Sequence, residues 1–363
     1  MRRALDLARL GLGSVEPNPM VGAVLVQDDR IVGEGWHARF GGPHAEVVAI
    51  QNAGAAAKGA ELFVTLEPCC HYGKTPPCTD AVLAAGIRRV VAAVADPFPQ
   101  VSGRGETILR QAGLEVKVGV LEEEARRLNA AFFKRQRTAL PLVIAKWAMT
   151  LDGCIATATG DSRWISGEEG RRRVHEVRRI VDAVLVGAGT ARQDEPSLTV
   201  RHVEPIAGRG QPARVVLDER LSIDPSRQPA ASARQTPVLV YTTPEGLAAG
   251  ADRAVRLREA GCEIVPVARA GGVSPRAVLE DLGRRGMSRV LIEGGAHVFG
   301  AFLAADLVDR VMIFISPRLL AGRGLPPVIG PDGRTLRESL ELKDLEIERV
   351  GADVLVQGRL GDF

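Results

Sequence analysis

Aromatic side chains are scarce in this chain of 363 residues: they make up 4%, with three tryptophans and two tyrosines. Surfaces that bind nucleic acid interleave aromatics with basic stretches. The sequence has neither, which speaks against a nucleic-acid partner. Charge of one sign is also lacking. A net charge of +3 gives no reason to expect a polyanion or a membrane surface as partner. No apolar run is long enough to span a bilayer. The opening stretch, MRRALDLARLGLG, has no apolar signal-peptide core or cleavage site, and Asp6 argues against a transit peptide. Cysteines number five, and three of them fall within ten residues, unlike the spread cysteines of a secreted disulfide scaffold. A cytoplasmic protein with reduced thiols is the expectation. Internal repeats and long low-complexity runs are missing too.

What is there is ordinary for a soluble globular protein: 45% hydrophobic and 25% charged residues, enough chain for two domains with buried cores. Up to about Gly119, short apolar runs alternate with helical patterns. GAVLVQDDRIVGEGW reads as a hairpin around Asp28-Asp29 and PHAEVVAIQNAG as a helix ending at Gly54. AELFVTLEP and RRVVAAVADP read as strands, with a helix in TPPCTDAVLAAG between them. EEEARRLNAAFFKRQR predicts one helix, acidic at its start and basic at its end as the helix dipole favours. TALP follows as a linker, which places a boundary near Ala139, between a domain over 1–139 and one over 140–363. In the second part, strands are expected at PLVIAKWAMTLDG, DAVLVG, ARVVLD, PVLVYT, RVLIEGG and RVMIFIS. A helix runs from the cap Ser274 to Gly286, and another joins the last two strands. Both halves are therefore α/β, with parallel strand pairs.

The densest chemistry lies in EPCCHYGKTPPC, Glu67 to Cys78. His44 in PHAE, one of Cys69 or Cys70, and Cys78 supply one imidazole and two thiolates, leaving a fourth tetrahedral position open. Zinc in such a site lowers the pKa of its water to about 7. Glu46 stands two residues past His44, available to shuttle protons. Thr75 is the expected N-cap with Pro76 and Pro77 as first helical residues, so that Cys78 falls in the first turn, where the dipole favours a thiolate. His44 likewise follows Pro43 at a helix start. One difficulty stands: residues two apart on a regular helix point to different sides, so the sequence does not show that His44 and Glu46 face the same water.

H-A-E together with P-C and a further cysteine resembles the zinc-dependent cytidine-deaminase superfamily, whose signature is H-x-E with P-C-x-x-C. The spacing departs from it, since Cys69 and Cys78 enclose eight residues. That longer form, with PNPMVGAVLV and GWH followed by GGPHAE, is similar to the bifunctional deaminase/reductase family of riboflavin biosynthesis. The resemblance implies that Cys69 is the ligand and that Cys70 stands where relatives have serine. It implies one Zn2+ per chain, and a phosphorylated aminopyrimidine held by Asn18, His37, His71 and Lys74. An amide suits a ring edge, and lysine and imidazole suit a phosphate and sugar.

The second half alone says less. GAGTARQ starts like a dinucleotide fingerprint but has Arg192 at the third glycine, and reads as a tight strand-to-loop turn. EGGAHVFGAF puts Gly294 and Gly295 before a helix, where backbone N–H groups can hold phosphate oxygens. AKWAMTLDG, TGDSRWIS, VGAGTARQDEPSLTVR and IEGGAHVFGAF resemble the reductase domain of the same family, whose fold is similar to dihydrofolate reductase. By position, the resemblance assigns Ala148, Trp164, Thr190, Asp194, Gly295, Ala296, His297, Val298, Phe299, Gly300 and Ala301 to an NADPH site. It assigns Ser162, Arg178, Leu198, Arg201 and Glu293 to substrate. Lys146 is the candidate for stabilising or protonating the sugar oxygen. The resemblance further implies pairing of chains through the reductase domain. Glu219 stands where relatives often carry serine, and a carboxylate near the adenosine 2′-phosphate would repel it.

Overall fold

The structure is a computed structural model that describes residues 1–98, 101–330 and 333–363. The chain divides into two compact units, Met1–Ala139 together with Phe363, and Leu140–Asp362.

The first unit begins with α1 (Arg2–Arg9), followed by the hairpin β1 (Gly22–Gln27) and β2 (Arg30–Trp36). Asp28 and Asp29 make its turn with φ of 47° and 60°, the left-handed pair that a two-residue hairpin needs. Then come α2 (Ala45–Ala53), β3 (Glu61–Val64), α3 (Cys78–Ala84), β4 (Arg89–Ala92), α4 (Arg104–Gln111) and β5 (Glu115–Val118). The five strands order as β2-β1-β3-β4-β5, antiparallel around β1 and parallel from β3 to β5. Alternate positions of β2 are glycines because α2 lies directly on that strand. A Cβ on Gly35 would come within 2.5 Å of the Ala45 carbonyl, and one on Gly33 within 2.3 Å of the Ala49 carbonyl. This close seating fixes where α2 starts, and with it His44. The core beneath is small and aliphatic, with Leu25, Ala45, Leu62, Val82 and Val90 fully buried.

The predicted single helix from Glu122 is two: α5 (Glu122–Leu128) and α6 (Ala130–Thr138), joined at Asn129. The Asn129 side chain accepts from Met20 N and donates to Met20 O, both at 2.8 Å. These long-range bonds hold Asn129 at φ −100° and ψ 23°, outside the helical conformation, and set the bend.

The second unit runs β6 (Leu142–Thr150), β7 (Ala156–Thr157), α7 (Glu168–Arg178), β8 (Ala183–Gly187), α8 (Ala188–Asp194), β9 (Ala213–Leu217) and β10 (Val238–Thr242). It continues through α9 (Pro244–Ala249), α10 (Ala251–Glu259), β11 (Glu263–Pro266), α11 (Pro275–Arg284), β12 (Arg289–Gly294) and α12 (Ala296–Ala304). It closes with β13 (Arg310–Ser316), β14 (Gly324–Leu325), β15 (Lys343–Val350) and β16 (Asp353–Arg359). Nine strands form one sheet in the order β11-β10-β9-β8-β12-β6-β13-β16-β15. It is parallel as far as β13, and β16 and β15 then pair antiparallel. β7 and β14 pair separately. The Ser274 hydroxyl caps α11 as expected, accepting from Ala277 N. GAGTARQ is corrected from a strand-to-loop turn to a strand-to-helix turn, because α8 starts directly after Gly187. α7, α9, α10, β11, β15 and β16 have no clear signal in the sequence. These are charged or exposed elements without a long apolar period.

Candidate metal centre and reductase site

His44, Cys69 and Cys78 come together in the first unit, with their ligating atoms all within 4.8 Å of one another. Each is delivered by an element boundary. His44 is the extended N-cap of α2, Cys69 follows β3, and Cys78 is the first residue of α3. His44 Nδ1 lies 3.2 Å from Cys78 Sγ and 3.4 Å from Cys69 Sγ. Zinc–sulfur and zinc–nitrogen bonds of about 2.3 and 2.0–2.1 Å give tetrahedral edges of about 3.6 Å. The observed edges are a few tenths of an ångström shorter, and three side chains around such an ion would leave a fourth corner for water.

The thiols polarise each other. The Cys78 Sγ hydrogen bond, with the His44 ring and Cys78 N at 3.3 Å, draws the Cys69 thiol pKa down. Cys78 is pushed the opposite way, by its bond to Cys69 and by burial. One sulfur is therefore a ready thiolate ligand. The hydrogen bond to Cys69 raises the His44 pKa.

Glu46 is 3% exposed. Burial pushes its carboxyl up to about 7, and its side chain meets Cys78. The backbone resolves how it can face the same site as His44. His44 has ψ of 159° and stands outside the helical turn, so Glu46 is not two helical steps from it. Thr75 is not the N-cap expected of it. α3 starts later, with Pro77 before it, and Thr75 Oγ1 lies 3.3 Å from His44 Nε2.

A cavity of about 440 Å³ opens over this triad, lined among others by Asn18, His37, His71 and Lys74. Asn18 Nδ2 lies 3.2 Å from His37 Nε2, and His37 Nδ1 lies 3.0 Å from Pro43 O. Donation from the amide and to the carbonyl assigns a neutral imidazole, in line with the lowering of its pKa by burial. The His71 ring rests against Phe98 at 5.6 Å, and Lys74 Nζ stands 3.8 Å over the Phe40 ring. Phe40, Glu67, Asp96, Phe98 and Arg135 share the lining, and sequence reasoning missed them. Glu67 and Asp96 fall at the ends of the runs AELFVTLEP and RRVVAAVADP, which read only as strands.

In the second unit, the parallel neighbours β8 and β12 end side by side, and α8 and α12 begin there. Gly295 has φ of 100°, and a Cβ on Gly294 would sit 2.7 Å from Thr190 Cγ2. The positive φ favours glycine at position 295, and any larger residue at 294 would displace the Thr190 side chain. Gly295, Ala296, His297 and Val298 form this start. Phe299 is buried against Trp147, Gly300 presses on the Ile329 backbone, and Ala301 follows on the helix. Asp194 accepts from Ser162 Oγ at 3.2 Å, and the exposed Trp164 is covered by the Arg171 guanidinium at 4.8 Å.

Strand alternation puts Lys146 and Ala148 on one face of β6 and Trp147 on the other. A bulge in the β12–β8 pairing falls at Glu293. This carboxylate takes a two-pronged grip from Arg178, with Nη2 at 2.7 Å, while Arg178 Nη1 donates to Thr199 O. Burial lowers the Lys146 pKa, and Glu293 partly restores it, so Lys146 is no solvated strand residue. Leu198 is buried with φ of 55°, and Arg201 N donates to His175 Nδ1 at 3.0 Å. Glu219 is paired with Arg269 at 3.3 Å, which partly neutralises its charge.

Residues 1–94 match the cytidine and deoxycytidylate deaminase zinc-binding region, and residues 141–356 match the RibD C-terminal domain. The riboflavin biosynthesis protein RibD of Aquifex aeolicus is 43% identical over 357 residues, covering 98% of this chain and 96% of its own. The structure of Acinetobacter baumannii RibD superposes with a TM-score of 0.85 at 36% identity, covering 99% of this chain and 98% of its own. A Thermotoga maritima diaminohydroxyphosphoribosylaminopyrimidine deaminase/5-amino-6-(5-phosphoribosylamino)uracil reductase superposes at 0.83 with 39% identity, covering 99% and 97%. With a deaminase zinc region and a reductase domain matched in order along nearly its whole length, the chain belongs to the RibD family of bifunctional deaminase/reductase enzymes of riboflavin biosynthesis.

Proposed function

We propose that the chain carries out two successive reactions on one phosphorylated pyrimidine. The first unit hydrolyses the ring amine of 2,5-diamino-6-(5-phosphoribosylamino)pyrimidin-4-one, replacing C–NH2 by C=O and releasing ammonia. The second reduces the ribosyl group of the product to ribityl. The observation that carries this reading is the convergence of His44, Cys69 and Cys78, with Glu46 buried beside them.

Those three side chains would hold zinc, whose contribution when bound is to make water a nucleophile at neutral pH. Glu46 moves a proton from the attacking water to the departing nitrogen, a task suited to a carboxyl near 7. Asn18 and the neutral His37 pair with the ring edge. His71 and Lys74 take the ribose phosphate at the cavity rim.

In the second unit, NADPH supplies hydride when bound at the starts of α8 and α12. Thr190 and Gly295–Val298 would hold it, with Ala148, Trp164 and Asp194 flanking it. Arg178 and Glu293, locked together, present a fixed edge to substrate beside Ser162, Leu198 and Arg201. Lys146, desolvated near Glu293 and Arg178, would steady or protonate the sugar oxygen during the reduction.

A homo-oligomer forms through the reductase domain. Supporting this, β15 is an edge strand with Leu345 and Ile347 exposed. The free cysteines suit the reducing cytoplasm. Among the described residues no helix is long and apolar enough to cross a membrane.

The test supplies the diaminopyrimidinone ribose phosphate and follows ammonia and NADPH separately. Stoichiometric release of ammonia followed by NADPH oxidation is expected. Ammonia without any NADPH oxidation would leave the second unit a binding module.

A further inference from the structure

Glu67 is almost fully buried, at 3% exposure, one residue before the Pro68–Cys69 step that delivers a metal ligand. Its carboxylate accepts three backbone hydrogen bonds from residues distant in the chain. Oε2 receives Asp96 N at 3.2 Å and Gly103 N at 3.0 Å, and Oε1 receives Glu106 N at 3.1 Å. Gly103 is the N-cap of α4 and Glu106 lies in its first turn, so Glu67 caps that helix from across the fold. The helix start is seated directly on the metal turn: a Cβ on Gly105 would fall 2.2 Å from Pro68 O. At the same time Glu67 N donates to Val94 O at 2.9 Å. One side chain thus ties the turn carrying Cys69 to Asp96 and to the beginning of α4.

Asp96 is the consequence. It is 7% exposed, lines the metal cavity and directs Oδ1 to Phe98 N at 2.8 Å, while Phe98 packs on His71. Burial raises its pKa to about 7. A buried carboxyl facing a cavity is a hydrogen-bonding partner for a ligand rich in N–H groups, as an aminopyrimidine is. Its height above the metal turn is set by the bond from its own N–H to Glu67.

We propose that Glu67 is a positioning residue for the deaminase pocket: it fixes Asp96 and the Phe98–His71 wall relative to Cys69, so that Asp96 can read the N–H donors of the pyrimidine. This deepens the deaminase reading and rests on it. In Glu67→Gln an amide NH2 must face backbone N–H donors, so at least one of the three bonds is lost. The pocket wall shifts while the ligand triad stays.

The experiment measures steady-state deamination, zinc content and NADPH-dependent reduction of the deaminated intermediate for the whole chain, in wild type, Glu67→Gln, Asp96→Asn and the double variant. Glu67→Gln is expected to raise KM for the pyrimidine about tenfold or more, with a smaller change in kcat, one zinc per chain and unchanged reduction. Asp96→Asn is expected to reproduce the KM defect, and the double variant to be no worse than the poorer single one. An unchanged KM in Glu67→Gln would overturn the proposal. So would loss of zinc in that variant, which would assign Glu67 to the metal turn alone, or additive defects in the double variant. Failure of the underlying reading shows differently, as absence of ammonia release from zinc-loaded wild type.

Discussion

Replacing Glu46 by glutamine separates what this carboxyl does for the reaction from what it does to the fold. Its side chain is buried, and burial raises its pKa from 4.5 to about 7. A carboxyl with a raised native pKa binds more protons folded than unfolded, so its ionisation opposes folding, and stability falls as pH rises through 4.5 to 7 and beyond. At pH 7 the unfolded group is fully ionised and the native group about half so. The difference comes to about 3 kcal/mol against the metal-free native state. Glutamine has nearly the same shape and no charge. Metal-free Glu46→Gln should therefore be more stable than metal-free wild type at pH 7, by up to about 3 kcal/mol, and the gain should vanish near pH 4. Deamination should fall by about 10²–10⁴ because the proton shuttle is gone, while reduction of pre-deaminated substrate continues. Amide hydrogen exchange in β1 and β3 of the chelated protein reads the first effect, and ammonia release from the zinc-loaded protein reads the second. Ammonia release within a factor of a few of wild type would refute the assignment. A metal-free variant less stable than wild type at pH 7 would refute the electrostatic argument.

Cys70→Ser should keep zinc and deamination, whereas Cys78→Ser or Cys69→Ser should lose both, with elemental analysis and ammonia assays as readouts. Reduction should survive in all three. Asn129→Ala removes the acceptor and donor that meet Met20 N and Met20 O. It should cost the first unit about 1–3 kcal/mol in urea unfolding, with the reductase reaction unaffected. Lys146→Met should lower the rate of reduction by tenfold or more while NADP+ still binds, as followed by calorimetry. Arg178→Lys replaces a fork by a point charge, so it should raise KM for the reductase substrate rather than abolish turnover.

Much of the fold and of the metal centre is legible in the amino-acid order, for identifiable reasons. The hairpin at Asp28-Asp29 is marked by the turn pair between alternating apolar runs, and α11 by Ser274, Pro275 and Gly286. The grouping of His44, Cys69 and Cys78 can be read because zinc restricts which residue types serve as ligands and how they are spaced. Choosing Cys69 over Cys70 needs the family resemblance, since adjacent cysteines are chemically equal on paper. Three features are hidden. Asn129 bends a helix through a partner 109 residues away, which no local pattern can report. The start of α3 is misplaced because Thr75 and two prolines imitate a cap while Thr75 in fact faces His44. Glu67 and Asp96 fall at the ends of runs that read only as strands, and their importance is hidden because it lies in backbone N–H groups that only the fold brings together.

X-ray absorption at the zinc edge, combined with elemental analysis of the purified chain, tests the metal centre on which both the mechanism and the pocket depend. One zinc per chain, surrounded by two sulfurs, one imidazole nitrogen and one light-atom ligand, is the predicted result. A sub-stoichiometric metal, or a shell with a third sulfur and no open corner, would contradict it.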